Sequence, residues 1–108
     1  MKDPDRSLRF YAEAFGVEEY FRDEKSIQAK GPGPWDVIAF EKEPSMAGKK
    51  GGIGHFGVRL VDPKDIDLAI ASVERAGGTI LRRGEFSPGY PYVYVADPDG
   101  YEIEIWYE

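Results

Sequence analysis

The stretch "DPDRSLRFYAEAFG" at residues 3–16 carries the signals of a short capped helix, and "DPKDIDLAIASVERAGG" at residues 62–78 repeats them. In each stretch an aspartate can cap the first turn, a proline suits the first helical position, and a glycine suits a left-handed exit. Apolar residues at helical spacing predict one buried stripe per helix: Leu8, Tyr11, Ala12 and Phe15, then Ile66, Ala69, Ile70 and Val73. The repeat predicts a chain built twice from one unit.

Three strand-like runs follow each predicted helix. They occupy residues 17–24, 26–30 and 35–43 in the first half, and 79–86, 90–96 and 101–108 in the second. Turns rich in glycine and proline separate them. One further run, "GIGHFGVRLV" at 52–61, precedes the second helix. The order predicts an αβββ module at 1–43, a linker at 44–51 and a βαβββ module at 52–108, within one structural domain.

The first module therefore lacks the opening strand that the second module has. Three explanations are open: the chain starts at an internal methionine, another chain covers the exposed sheet edge, or the two halves are misaligned. An uncovered edge presents unpaired backbone donors and acceptors. Under either of the first two explanations, we expect a homodimer.

Composition limits the possible partners and surroundings. The chain has no cysteine, which excludes thiol chemistry and disulfides. Its 14 basic and 20 acidic residues give a net charge of -6, so nucleic acid is not an expected partner. No apolar run is long enough to span a membrane, and no signal peptide is evident. These features predict a compact cytoplasmic module that binds neither nucleic acid nor membrane.

Three stretches together resemble the vicinal oxygen chelate superfamily of glyoxalases, bleomycin-resistance proteins and extradiol dioxygenases: "DRSLRFYAEAFG", "GHFGVRLVD" with its following helix, and "VADPDGYEIEIW". The resemblance covers nearly the whole chain. It implies an α+β fold in which two βαβββ-type modules form curled mixed sheets around a cavity, with the helices outside. It also implies that each module can supply a histidine from its first strand and a glutamate from its last strand to a divalent metal such as Zn, Fe, Ni or Mn.

Carried over by position, the family's metal ligands match His55 and Glu104 in the second module. The glutamate position of the first module falls at Ala39, and its histidine would lie on the absent strand. Catalytic zinc and open iron sites normally keep three protein ligands. Water, substrate or a second subunit would therefore have to complete this site. Glu41, on the strand face of Ala39, could offer only a displaced carboxylate.

Aromatic residues form the second candidate constellation. Alternation along the strands predicts that four rings and one arginine line a cavity for a small organic ligand: Trp35, Tyr92, Tyr94, Trp106 and Arg59. In the alternative interpretation the rings only fill a closed barrel, Arg59 forms a surface ion pair, and Glu104 meets only water.

Three functions remain open at this level. One is a metal-dependent lyase, isomerase or dioxygenase, whose metal acts as a Lewis acid on a substrate oxygen. Another is a non-catalytic binding or resistance protein with an aromatic-lined cavity and no metal. The last is a degenerate domain that only associates with a partner. The general acid or base and the substrate are not specified by the sequence.

Overall fold

A computed structural model describes residues 1–108, and its elements follow the predicted repeat. They are α1 (Pro4–Phe15), β1 (Glu18–Arg22), β2 (Ser26–Lys30), β3 (Val37–Glu41), β4 (Phe56–Arg59), a 3-10 turn (Pro63–Asp65), α2 (Ile66–Arg75), β5 (Thr79–Glu85), β6 (Pro91–Ala96) and β7 (Glu102–Trp106). The predicted α+β class is confirmed, with a first module that lacks its opening strand. Neither helix has the length and apolar character needed to cross a membrane.

The ends of α1 match the predicted caps, whereas the predicted cap Asp62 begins the 3-10 turn and α2 itself begins at Ile66 without a side-chain cap. The Asp3 side chain accepts a hydrogen bond from the Arg6 N–H, and Gly16 ends α1 with φ of 74°. The buried face of α1 is rotated relative to the predicted stripe, because Ser7, Phe10 and Tyr11 are buried whereas Leu8 is only half-buried. The cause is that α1 packs against α2 as well as against β2 and β3.

Two sheets carry the fold. The first has the order β1-β2-β3 and is antiparallel; the second has the order β4-β7-β6-β5. In the second sheet β4 runs parallel to β7, whereas β7 is antiparallel to β6 and β6 to β5. The strand that follows each helix is thus at the outer edge of its sheet, and β7 lies inside the second sheet.

One apolar core joins the two halves. It comprises Phe10, Tyr11, Ile27, Ala29, Phe40, Ile66, Val73, Val93, Val95, Ile103 and Ile105. A buried hydrogen bond of 2.9 Å from the Tyr11 hydroxyl to the Asp97 carboxylate crosses from α1 to the turn between β6 and β7. In the same turn the fully buried side chain of Asp99 pairs with Arg6 at 3.0 Å. Helix α1 is therefore anchored to both halves of the chain.

A candidate metal and ligand site on the second sheet

Strand β7 directs Glu104 away from the core. Its neighbours Ile103 and Ile105 are 0% and 1% exposed, and side chains alternate along a strand. Glu104 therefore lies on the opposite face of the sheet, yet its side chain is only 15% exposed. The interpretation of Glu104 as a carboxylate surrounded only by water does not hold, because protein atoms cover most of it.

His55 is the group that Glu104 meets. It directly precedes β4, whose residue Gly57 lies opposite Glu104 in the parallel pair. The imidazole Nε2 of His55 is 3.1 Å from the Glu104 Oε2 atom. The two residues that the family resemblance selected, 49 positions apart in the chain, are therefore in direct contact.

Gly57 makes room for an aromatic ring beside this pair. A Cβ atom at Gly57 would lie 2.8 Å from the Trp106 Nε1 atom, closer than side chains approach. Strand glycines often mark such close approaches. The ring of Trp106 consequently lies against the β4 backbone, on the face of β7 that carries Glu104.

Tyr94 is the third group around the carboxylate. It lies opposite Glu104 in the antiparallel pair of β6 and β7, and its ring meets the His55 ring edge-on with centroids 5.1 Å apart. Burial, and then the negative charge of Glu104, raise the pKa of the Tyr94 hydroxyl above its ordinary value. The guanidinium of Arg82 lies 4.0 Å from the ring centroid of Tyr94. Tyr94 is thus held between a cation and the His55–Glu104 pair.

A charged cluster that was not predicted lies next to the His55–Glu104 pair. Glu102 shares the strand face of Glu104 and lies 3.4 Å from Arg82 and 3.7 Å from Lys50. The period of two along β7 signalled the shared face. The contact with Lys50 had no sequence signal, because it depends on the path of the linker.

The remaining predicted ligand residues are only partly brought together. Tyr92 lies opposite Trp106 in the ladder of β6 and β7, so these two rings share the open face of the second sheet. Arg59 stacks on Tyr107 at 4.6 Å and donates a hydrogen bond of 3.2 Å to the backbone carbonyl of Glu108. Its guanidinium is thus held by Tyr107 and by the backbone of Glu108.

Trp35 does not lie in the strand that carries Ala39, so strand alternation does not decide where its ring points. Strand β3 begins only at Val37, and Trp35 is 89% exposed. The preceding loop closes on itself, because the Gly31 N–H donates to the Asp36 carbonyl at 2.8 Å and the Gly33 N–H donates to the Asp36 carboxylate at 3.1 Å. This closure keeps Trp35 outside the strand and separates it from the other three rings.

Two apolar cavities lie beside β3 and β4. One, of about 520 Å³, is lined by His55, Phe56, Ile38, Ala39 and Glu41, with Met46 and Ile53 of the linker region among the other lining residues. The other, of about 830 Å³, is lined by Trp35, Arg59, Phe15, Val58 and further apolar residues. Neither of them includes Tyr92, Tyr94 or Trp106 in its lining. The predicted aromatic residues are therefore divided between one cavity and the open sheet face.

The donor set only partly fits a metal ion. Two ligands about 2.1 Å from one ion are about 3.0–3.4 Å apart at a right or tetrahedral angle. The 3.1 Å separation of the His55 and Glu104 donor atoms falls in that range. No group of three or more histidine, cysteine, aspartate or glutamate side chains is placed to hold a metal. The chain therefore offers two of the three or more ligands that a metal would need.

Comparison with known proteins assigns the family. The model of the Glyoxalase/Bleomycin resistance protein/Dioxygenase superfamily matches residues 1–105, and the chain belongs to this superfamily. Among curated proteins, the chain is 26% identical over 106 residues to catechol-2,3-dioxygenase of Bacillus subtilis. That match covers 94% of this chain and 36% of the dioxygenase, so the chain spans about a third of this relative.

Solved structures agree with the fold. A glyoxalase-related enzyme from Fulvimarina pelagi superposes with a TM-score of 0.77 at 26% identity, covering 100% of this chain and 82% of that one. A mutant of the fosfomycin resistance protein FosX from Listeria monocytogenes, solved with Mn(II) and 1S,2S-dihydroxypropylphosphonic acid, gives 0.81 at 16% identity, covering 97% of this chain and 81% of that one. The relatives thus include enzymes of several activities. The predicted homodimer and cytoplasmic location stay predictions.

Proposed function

We propose that this protein acts on a small oxygen-bearing organic molecule, with His55 and Glu104 as two ligands of a divalent metal. The observation that carries the proposal is the 3.1 Å separation of the His55 and Glu104 donor atoms. Such a metal would supply Lewis-acid stabilisation of negative charge on a substrate oxygen. The remaining ligands would be substrate, water or another polypeptide segment.

The surrounding residues suit the binding of an organic molecule. Tyr92 and Trp106 offer aromatic surface on the same sheet face as Glu104. Arg82 places a cation above Tyr94 on that face, where it would favour an anionic substituent. We assign Tyr94 to substrate binding, with its hydroxyl beside the Glu104 carboxylate.

The relatives support a lyase, isomerase or dioxygenase as the reaction class. Catechol-2,3-dioxygenase and a glyoxalase-related enzyme each share 26% identity with this chain. The FosX structure with Mn(II) makes manganese a reasonable first ion to test among Zn, Fe, Ni and Mn. Because the chain matches only 36% of the dioxygenase, the activity of that whole protein is not carried over.

A binding protein without metal is the second candidate. It is favoured by the incomplete donor set, since a site with two protein ligands is below the usual number. The cavity of about 520 Å³ beside His55 has the size of a small-molecule site. Sequestration of an apolar ligand there would need no metal.

Metal titration separates the two candidates. Calorimetric titration of the purified chain with Mn²⁺ and Zn²⁺ should show one site, and His55→Ala and Glu104→Gln should each weaken it at least about tenfold. Glu102→Gln is the matched control, since Glu102 lies two residues from Glu104 on the same strand face. We expect the control to change the affinity less than about twofold.

Two outcomes would contradict the metal proposal. One is equal weakening by Glu102→Gln and Glu104→Gln, which would indicate a diffuse effect of surface charge. The other is absence of metal binding together with saturable binding of an aromatic ligand that is unaffected by His55→Ala. The second outcome would support the binding protein.

A further inference from the structure

A bulge in β5 turns Arg82 onto the open face of the second sheet. In the ladder with β6, Ile80 pairs with Val95 and the next pair is Arg82 with Tyr94. Leu81 lies between them without a partner, whereas a regular ladder would set it opposite Tyr94. Bulges of this kind redirect a side chain and are common beside functional sites. The β5 backbone therefore places a cation on the face of the candidate site.

The linker brings a second cation to the same place. Gly48 lies against the turn before β7, because a Cβ atom at this position would overlap the backbone carbonyl of Asp99. Two residues further on, the Lys50 Nζ atom lies 3.7 Å from the Glu102 carboxylate. The Arg82 guanidinium lies 3.4 Å from the other oxygen of that carboxylate. Two separate segments of the chain thus each bring one cation to Glu102.

Glu102 alone does not satisfy these two cations. Charged hydrogen bonds between nitrogen and oxygen are about 2.7–2.9 Å long, and both contacts of Glu102 are longer. The side chains of Arg82 and Lys50 are 56% and 52% exposed, whereas that of Glu102 is 18% exposed. A guanidinium has five donor hydrogens and an ammonium three, so both cations can bind a further acceptor. The cluster of two cations and one carboxylate is therefore suited to one additional negative charge.

This cluster lies close to the candidate metal ligands. Glu102 and Glu104 are two positions apart on one strand face, which separates their backbones by about 6.5–7 Å. Tyr94 contacts both groups, because its ring centroid is 4.0 Å from the Arg82 guanidinium and 5.1 Å from the His55 ring. A ligand that reaches the cluster and the donor pair together needs to be only about one substituted ring in length.

The cavity of about 520 Å³ connects the cluster with the donor pair, since Lys50, Glu102 and His55 all line it. Its other acidic lining residues, Glu41 and Glu43, belong to β3 and to the residues that follow it. Neither of them forms an ion pair with the cations of the cluster. An anionic group of a ligand in this cavity would therefore be drawn to the side of Lys50.

We propose that Arg82 and Lys50 form a subsite for one carboxylate group of the ligand, about 6–7 Å from the His55–Glu104 pair. This inference rests on the proposed function and narrows its substrate to small monocarboxylic acids. Such an acid would carry an oxygen at the opposite end of a flat ring, within reach of the metal ligands. Glu102 would compete with the ligand for both cations, so it limits the affinity of the subsite.

Two matched probes test the subsite. 4-Hydroxybenzoate carries both the carboxylate and the distant oxygen, and 4-hydroxybenzamide has a neutral amide of the same shape in place of the carboxylate. Calorimetric titration measures the two dissociation constants, with and without Mn²⁺. The parent chain should bind the benzoate at least about fivefold more tightly than the benzamide.

Charge variants should change this preference in opposite directions. Arg82→Gln and Lys50→Gln should each lower it at least about threefold, because each removes one cation. Glu102→Gln should raise it at least about threefold, because it removes the competing carboxylate. Arg83→Gln is the matched control, since Arg83 lies on the opposite face of β5 and pairs with Asp67 at 3.0 Å. This control should change the preference less than about twofold.

Failure of the subsite and failure of the proposed function give different results. Equal affinity of the parent chain for both probes, absence of saturable benzoate binding, or equal effects of Arg83→Gln and Arg82→Gln would each overturn the subsite. If only the metal proposal fails, the preference for the benzoate remains, but neither Mn²⁺ nor His55→Ala alters the affinity. The affinity for the benzamide should stay within about twofold in every charge variant, which shows that the fold is intact.

Discussion

Strand β7 lies between β4 and β6, whereas its counterpart β3 has β2 on one side and the two cavities on the other. The two strands carry similar sequences, "IEI" at 103–105 and "IAF" at 38–40. Yet Ile103 is fully buried and Ile38 is only half-buried. Phe40, the counterpart of Ile105, is fully buried as Ile105 is, so the missing neighbour leaves β3 less covered at Ile38 and not along its whole length.

The two halves also differ in the polar side chains that they place beside these strands. Strand β4 places His55 against Glu104 because its parallel pairing with β7 fixes the register. In the first half Ala39 stands at the carboxylate position, with no strand beside it to supply an imidazole. A complete ladder therefore positions the candidate site, and the half without one contributes a wall of the cavity.

The largest expected effect concerns the paired isoleucines. Ile103→Ala should lower the free energy of unfolding by about 2–5 kcal/mol, since it leaves a cavity in a closed core. Ile38→Ala should lower the free energy of unfolding by about 1 kcal/mol, because this side chain is already partly exposed to solvent. Urea denaturation of both variants measures the difference. Equal losses would show that β3 is as well covered as β7.

The next effect concerns the close contact of β4 and β7. Gly57→Ala should lower the free energy of unfolding by about 1–3 kcal/mol, because the new methyl group overlaps the Trp106 ring. Trp106 fluorescence should shift as the ring moves. Gly54→Ala is the control, since a Cβ there meets nothing within 4 Å, and it should change stability by less than about 0.5 kcal/mol. A silent Gly57→Ala variant would refute the tight β4–β7 contact.

The smallest expected effect is the pH dependence of the free energy of unfolding that arises from Asp97, where the two halves meet. Burial raises the pKa of Asp97 despite the hydrogen bonds it accepts from Tyr11, Asp99 and Tyr101. The folded state thus holds this proton more tightly than the unfolded state. Stability from this group is full below its ordinary pKa of about 3.9 and is lost as the pH rises through the raised value.

Asp97→Asn should remove this dependence of the free energy of unfolding on pH. Its amide can still accept from the two backbone N–H groups and donate to Tyr11. The free energy of unfolding of the variant, measured from about pH 4 upward, should therefore fall less with pH than that of the parent chain. Parallel curves would mean that Asp97 has the same proton affinity in both states.

Local signals predicted most of the fold. Asp3 and Gly16 defined α1, and Asp62 marked the 3-10 turn that precedes α2. The period of two along β7 placed Glu104 opposite Ile103 and Ile105. The family resemblance then selected His55 as the partner of Glu104. These features depend on neighbours in the chain or on a repeated motif, so the sequence carries them directly.

Features that depend on the path of loops could not be predicted. Trp35 lies outside β3 because the hydrogen bonds of Asp36 close the loop before this strand. Lys50 meets Glu102 only through the course of the linker, and Arg59 turns to the chain end because Tyr107 and Glu108 lie beside it. None of these contacts has a characteristic spacing in the sequence.

The hydrogen bond between Tyr11 and Asp97 affects what happens to the fold when the chain is cleaved. It joins residues 86 positions apart, and together with the Arg6–Asp99 pair it fastens the first helix to a turn of the second half. None of these groups belongs to residues 44–51. A protease cut in that segment would leave two polypeptides that stay associated as a nicked complex. The same two fragments, expressed separately, should reassemble into the folded protein by fragment complementation.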